Sequence, residues 1–481
     1  MLPNSITRKW LLLASGLFIA LMAVCIYFEF FYILLLPIVL LIIWAAFYHL
    51  EHLLLFVALC TPFSINLEEM ELGGIGVALP TEPLLVGILI LFFFKVLSGK
   101  SIDTNIFKHP ITIVLYFYLG WMTYTSITSE FPLVSFKYLA TRLWFITSFY
   151  LIATHVFQNF DRIRHYFLVY LFPLVLVVIY TIFRHSQYGF DKDSSHWVME
   201  PLFKDHTSYG AVLAMYFPVI IGLLLSKKMG PLLRVLVSIA FIILTAGLIL
   251  SYTRAAWLSV VVAGGVLAVL LLRIRLRTIL LSLFAVGFLV ILSWDDIQIA
   301  LEGNKQESSD KIEEHVSSIS NVSSDASNLE RLNRWNCALE MFKERPMLGW
   351  GPGTYQFVYA PFQRAKDRTI ISTNRGDGGN AHSEYLGPLC EQGVFGMVMV
   401  IVLLLAVSNL AFRLFYSIQE FEVKLLIAMV YLGLITYFTH GVLNNYLDTD
   451  KASVPFWGFI AILVAIDLYH KHPKKIEEKN V

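Results

Sequence analysis

Apolar runs long enough to cross a lipid bilayer recur along this 481-residue chain and constrain its fold more than any other feature. A hydrocarbon core of roughly 30 Å takes about 20 helical residues to cross, and within it only helices and closed barrels satisfy every backbone N–H and C=O. Such runs centre near residues 10–27, 31–49, 83–98, 110–128, 137–157, 164–184, 207–225, 232–251, 256–272, 277–294, 388–411, 422–441 and 453–470. A shorter run at 51–64, broken by Pro62, suits a tilted or re-entrant segment as well as a span. The expected fold is all-α, a polytopic integral membrane helical bundle of about 12 to 14 transmembrane helices. Composition agrees: 57% of residues are apolar and 15% charged, against about 45–50% and about 25% in soluble chains.

Charge orients the spans. With fourteen of them, alternate connections carry Arg8 and Lys9, then Lys95, Lys100 and Lys108, then Arg162 and Arg164, then Lys227, Lys228 and Arg234, then Arg273, Arg275 and Arg277, then Arg413 and Lys424, then Lys471, Lys474 and Lys475. The positive-inside rule puts this set in the cytoplasm, together with both termini, and puts the long insert before residue 389 outside. Dropping the 51–64 span requires dropping another before residue 95. Arg8-Lys9 ahead of an apolar run looks like a signal peptide, but no small-residue cleavage site follows, so it reads as a retained first span. The chain divides into a transmembrane bundle at 1–294, an outer loop at 295–389, C-terminal spans at 390–470 and a tail at 471–481. A net charge of +1 gives no field for nucleic acid. Four cysteines lack metal or redox spacing; Cys337 and Cys390 are the pair that an oxidising compartment would allow to bridge.

The insert is polar and glycine-punctuated. Glu302 to Ser327 lacks hydrophobic periodicity and reads as a mobile loop. Ser327-Asn-Leu-Glu330 reads as a capping box. Leu329, Leu332, Trp335, Leu339 and Phe342 then form one apolar stripe, that of an amphipathic helix suited to the membrane surface. Pro346 should end this helix at Arg345. Gly349, Gly351 and Gly353 make a turn whose N–H groups can approach an anion, although no GK[ST] follows and a structural turn is the default. Arg364, Lys366, Arg368 and Arg375 precede Gly376-Asp-Gly-Gly379, and Asn380-Ala-His382 opens the next helix.

Four ionisable clusters fall on the outer side: Asp205-His206, Arg254, Arg331 with Arg334, and His382. Ionisable groups at membrane depth are costly and tend to be functional. Converging arginines suit a phosphate or diphosphate held bidentately. His382, in the first turn of its helix, would be kept neutral by the macrodipole and so be competent as a general base. Each feature also has a plainer reading. Arg254 reads equally as an interfacial anchor beside Trp257, and Arg334 and the run from Arg364 to Arg375 as solvated or headgroup contacts. Asp205 serves as a helix N-cap, His382 as an ordinary hydrogen-bonded histidine, and Asp448-Thr-Asp450 as solvated carboxylates rather than a metal-holding DxD.

Several phrases in order carry a family resemblance. Arg331-x-x-x-Trp335, Pro346-x-x-Gly349-x-Gly351-x-Gly353, and Ala381-His382-x-x-Tyr385-Leu386 with Glu391-x-Gly393 and Gly396 resemble the C-terminal signature of the O-antigen ligase and polymerase superfamily. Ser251-x-Thr-Arg254-x-x-Trp257 resembles its arginine motif, and Asp205-His206-x-x-x-Gly210 with Pro218 its opening of the middle helix. The family commonly has Asn after the histidine, where this chain has Ser383. The resemblance implies a GT-C-like glycosyltransferase of the bacterial inner membrane, needing neither metal nor cofactor. It would move a glycan from undecaprenyl diphosphate to a hydroxyl of lipid A-core on the periplasmic face. His382 becomes the base and Arg254 and Arg331 the diphosphate ligands, with Arg142, Asp205, His206, Arg334, Glu384 and Tyr385 supporting. A polysaccharide polymerase and a protein O-oligosaccharyltransferase share this chemistry. A lipid-linked glycan transporter or flippase instead predicts ionisable residues deep in several spans and two related halves; Lys137 and Arg142 are the main candidates, and no internal repeat is evident.

Overall fold

A computed structural model describes residues 5–27, 50–67, 77–98, 103–275, 326–363 and 379–471, with scattered positions between 277 and 293. The predicted span at 31–49, most of that at 277–294, the loop at 302–325, the basic run from Arg364 to Arg375 and the tail from residue 472 lie outside the described residues. Residues 1–54 and 55–481 form separate compact units. The first contains α1 (Ser5–Tyr27), a single apolar helix.

The 51–64 run forms helix α2 (Leu50–Cys60), which spans the boundary at residue 54, then a 3₁₀ turn containing Pro62 and strand β1 (Ile65–Asn66). β1 pairs antiparallel with β2 (Ala78–Leu79), Ile65 opposite Leu79, in the one sheet among the described residues. Then come α3 (Thr81–Leu97), α4 (Pro110–Ile127) and α5 (Pro132–Ile146), which continues through a π turn at Thr147–Ile152. α6 (Phe160–Ser186), α7 (His206–Leu225), α8 (Pro231–Leu250) and α9 (Arg254–Leu271) follow. Beyond the gap lie α10 (Ala326–Glu344), α11 (Leu386–Ser417), α12 (Phe421–His440) and α13 (Asp450–Ala465). Among the described residues seven helices are long and apolar enough to cross a membrane, and the fold is the expected all-α polytopic bundle.

Local chemistry sets the starts. Proline occupies the first turn of α4, α5 and α8, where its missing N–H costs nothing. Asn159 and Asp205 cap α6 and α7 through their side chains. Glycines then let helices close: a Cβ on Gly222 of α7 would overlap Met429 of α12, and one on Gly458 of α13 would overlap the Tyr166 hydroxyl of α6. α13 is buried along nearly its whole length, whereas α8 turns Leu232, Val235, Ile239 and Ile242 outward.

The bundle has two chemically distinct ends. At one, Arg413 pairs with Asp467 at 2.7 Å, His109 meets the same carboxylate at 3.3 Å and Lys228 meets Glu420 at 3.4 Å. Arg413, Lys228 and Lys471 there belong to connections that are cation-rich in the sequence. The other end holds Asp205, Arg254, His382 and the last turn of α12.

α10 departs from expectation. It begins at Ala326, so Ser327 lies inside its first turn. The Glu330 carboxylate accepts from Arg334 Nε at 2.9 Å. The buried face is Asn333, Arg334, Cys337, Ala338 and Met341, while Leu339 of the predicted stripe is 39% exposed. The ion pair explains the reversal: two charges four residues apart satisfy each other, and their face packs on Trp350, Tyr355, Tyr359 and Ala381. Cys337 and Cys390 share this cluster as free thiols. As expected, the helix stops just before Pro346.

Candidate active site

The site is assembled on a kink in α11. Gly393 interrupts the helix at φ 71°, and Val394 N–H donates to Pro346 O at 3.0 Å. A Cβ on Gly393 would collide with Met347 O, so the kink and the docked loop require glycine there. Gly349, Gly351 and Gly353 take φ of 65°, 112° and 74°, turning the loop along the kink. The turn does receive an anion, but one from this chain: the Glu391 carboxylate accepts from Gly353 and Tyr355 N–H, each at 2.9 Å. The glycine turn is therefore structural.

His382 precedes α11 rather than standing in its first turn. It adopts φ 47°, with its N–H on Asn380 Oδ1 at 3.1 Å and its carbonyl accepting from Trp335 Nε1 at 3.4 Å. The macrodipole therefore does not keep it neutral. Desolvation does so first, and the Arg334 and Arg331 charges add to it, pushing the ring down to about 4 from 6.5. Ser383 takes over a capping role, its Oγ accepting from Tyr385 N–H at 3.2 Å and Leu386 N–H at 3.3 Å. Glu384 and Tyr385 fasten the segment to α12 and the loop after it. Glu384 Oε1 accepts from the Tyr437 hydroxyl, from Tyr446 N–H at 2.9 Å and from Leu447 N–H at 3.0 Å, and the Tyr385 hydroxyl donates to Phe438 O.

Around His382 the structure gathers most of the predicted residues. Arg331, Arg334 and Asp205 all act on its ring. Asp205 accepts from Ser208 N–H and Thr207 Oγ1, both at 2.7 Å. Burial raises its pKa, but these bonds outweigh burial and hold the carboxyl below its ordinary range. The His206 ring meets His196, centroids 4.1 Å apart. Thr253, just before Arg254, donates to His206 O at 2.8 Å, and Ala255 faces the buried ring of His440, so α9 starts, at Arg254, in the same corner. His440, paired with Asn444 at 3.1 Å, was missed in the sequence; a histidine closing an apolar helix was its only signal.

Two arginines have other tasks. Arg334 is not solvated but 6% exposed, bound to Glu330 and to Asn380 O at 3.3 Å, and set over the Tyr359 ring. A Cβ on Gly379 would overlap its guanidinium, so Arg334 holds the strand leading to His382. Arg142 is buried away from the cluster and donates to Leu447 O and the Tyr138 hydroxyl. Asp450 of the DxD phrase is buried and accepts from Thr81 Oγ1 at 2.6 Å.

Residues 239–401 match the family described as O-antigen ligase. The matched stretch contains Arg254, Arg331, Arg334, His382 and the Glu391–Gly393 kink, the phrases that carried the resemblance in the sequence. The match covers about a third of the chain; with the long apolar helices it points to a membrane protein similar to glycosyltransferases of the O-antigen ligase and polymerase type. Asp205, His206 and His440 complete the corner from outside that stretch. No curated protein matches the chain.

Beside the histidine corner lies a cavity of about 400 Å³. Asn380, Ala381, Ser383 and Glu384 line it, whereas His382, Arg254 and Arg331 do not. Glu82, Lys137 and Lys204 reach it from segments far apart in sequence.

Proposed function

We propose that this protein transfers a glycan from undecaprenyl diphosphate to a hydroxyl of lipid A-core, with residues 295–389 forming the catalytic loop on the periplasmic side. His382 takes the proton of the acceptor hydroxyl as the acceptor oxygen bonds the anomeric carbon. The bond from that carbon to the diphosphate breaks, and Arg254 and Arg331 stabilise the leaving diphosphate without a metal. The observation that carries this reading is a partly buried histidine on which Arg331 and Arg334 act, in the corner where α9 starts at Arg254. Its depressed pKa fits the order of events. In the empty site the cations suppress proton uptake; a bound diphosphate neutralises them and raises the basicity of the ring, so the base strengthens when the donor is present.

A polymerase or a protein O-oligosaccharyltransferase would use the same corner with another acceptor. The test uses purified protein in nanodiscs with undecaprenyl-diphosphate glycan and lipid A-core in a chelator. Product is expected, and a shift to another acceptor class would rank the enzymes differently. Movement of carrier across the bilayer without product would replace the reading with a transporter. Arg254→Lys should lose most activity, because a point charge cannot replace a planar fork. Wild-type turnover in that variant would remove Arg254 from the diphosphate site.

A further inference from the structure

Resting on the transferase reading, we propose that His440, at the end of α12, is the residue that positions Arg254 for the diphosphate. The ring is buried, 1% exposed, and no step of the transfer uses it. α12 stops at His440, and the His440 carbonyl accepts from Leu443 N–H at 2.9 Å and Asn444 N–H at 3.1 Å. The turn so formed brings Asn444, four residues on, to the ring. An amide nitrogen only donates, so the Asn444 N–H₂ donates to Nε2 at 3.1 Å and the imidazole proton sits on Nδ1. Asn444 thereby fixes the tautomer and the orientation of the ring.

So held, the ring faces the start of α9. The Ala255 backbone acts on it, as do Arg331, Asp205 and His206 of the histidine corner. Among the described residues Nδ1 makes no full hydrogen bond, so the hold on Ala255 is a polar contact. On the other flank Thr253 Oγ1 donates to His206 O at 2.8 Å, and a Cβ on Gly210 of α7 would overlap the Thr253 side chain. Arg254 therefore lies between two anchored neighbours, Thr253 on α7 and Ala255 on α12. The same end of α12 holds the base side. Gly441 O, one residue on, accepts at 2.7 Å from the N–H of Glu384, two residues after His382. One turn of chain thus sets the start of the arginine helix against the histidine segment. A guanidinium that must meet a diphosphate as a planar fork tolerates little shift of its backbone.

Farnesyl diphosphate affinity, with donor and acceptor KM for undecaprenyl-diphosphate glycan and lipid A-core, provides the test on full-length variants in nanodiscs. His440→Leu fills the space but keeps neither polar edge. It should weaken farnesyl diphosphate about tenfold and raise the donor KM alike, with the acceptor KM unchanged. His440→Gln should return both to within about twofold of wild type, because its amide offers an acceptor to Asn444 and a donor to Ala255. Asn444→Leu frees the ring without cutting into the corner and should reproduce the loss, so it carries the test where His440→Leu folds poorly. A lowered melting point with wild-type farnesyl diphosphate affinity, or an acceptor KM raised as much as the donor KM, would overturn the proposal. Failure of the transferase reading shows separately: Arg254→Lys would itself bind farnesyl diphosphate like wild type, or His382→Ala would still make product.

Discussion

On one face of the segment from Asn380 to Glu384, His382 meets two arginines; on the other, Ser383 and Glu384 border a cavity rich in carboxylates. The faces differ in how their charges are answered. On the cavity side the carboxylates of Glu384, Glu391 and Asp205 accept backbone N–H groups, so they fix loops in place. On the histidine side Arg334 is matched by Glu330, yet the arginine field still bears on His382. Protein donors answer the carboxylates on one face; on the other, two arginines bear on one histidine ring.

Adjacent residues give the sharpest way to break this comparison. His382→Ala should lower turnover by about 10²–10⁴-fold, the usual worth of a general base. Ser383→Ala should cost about 1 kcal/mol of stability, as lost caps do, with transfer retained. Thermal midpoints and product ladders on both variants decide it, and equal loss of activity in the two would show that the segment acts only as scaffold. The pH profile sharpens the same point. With the His382 pKa lowered to about 4 in the empty site, the ring stays neutral as pH falls through 6.5, so kcat/KM should lose its acid limb only below about pH 5. Donor binding raises the pKa, which moves the acid limb of kcat to higher pH. Coincident limbs near 6.5 would sink the assignment.

Glu391→Gln should have the next largest effect, this time on stability. The variant weakens the bonds to Gly353 and Tyr355 and sets an amide N–H₂ against backbone donors, at a cost of about 1–3 kcal/mol. Melting in detergent checks it. An unchanged midpoint would mean that the Gly393 kink holds the glycine loop without the carboxylate.

The spans were legible because the bilayer permits so few structures, and the His382 corner was legible because its histidine and arginines stand out in an apolar chain. Other features depend on distant partners. Gly349 to Gly353 looked ready for an anion, but that anion is Glu391, far along the chain and inside a helix. His382 read as helical because nothing in Asn380-Ala-His382 marks the left-handed turn at φ 47°. The cavity joins residues from Asn66 to Ala452, and no local pattern announces such a juxtaposition.

α10 carries the arginines of the histidine face, so its rotation decides whether the comparison holds, and the smallest predicted effect tests that rotation. Periodicity put Leu339 in the apolar stripe, yet it is 39% exposed while Met341 is fully buried. Leu339→Gln should therefore change stability by no more than about 0.5 kcal/mol, as surface substitutions do. Met341→Ala removes a side chain from the cluster with Trp350 and Tyr355 and should cost about 2–5 kcal/mol. If the two costs were reversed in detergent melts, the helix would present its leucine stripe inward. Arg334 would then leave Glu330 and Asn380 for the surface, and His382 would lose the charge that holds its pKa down.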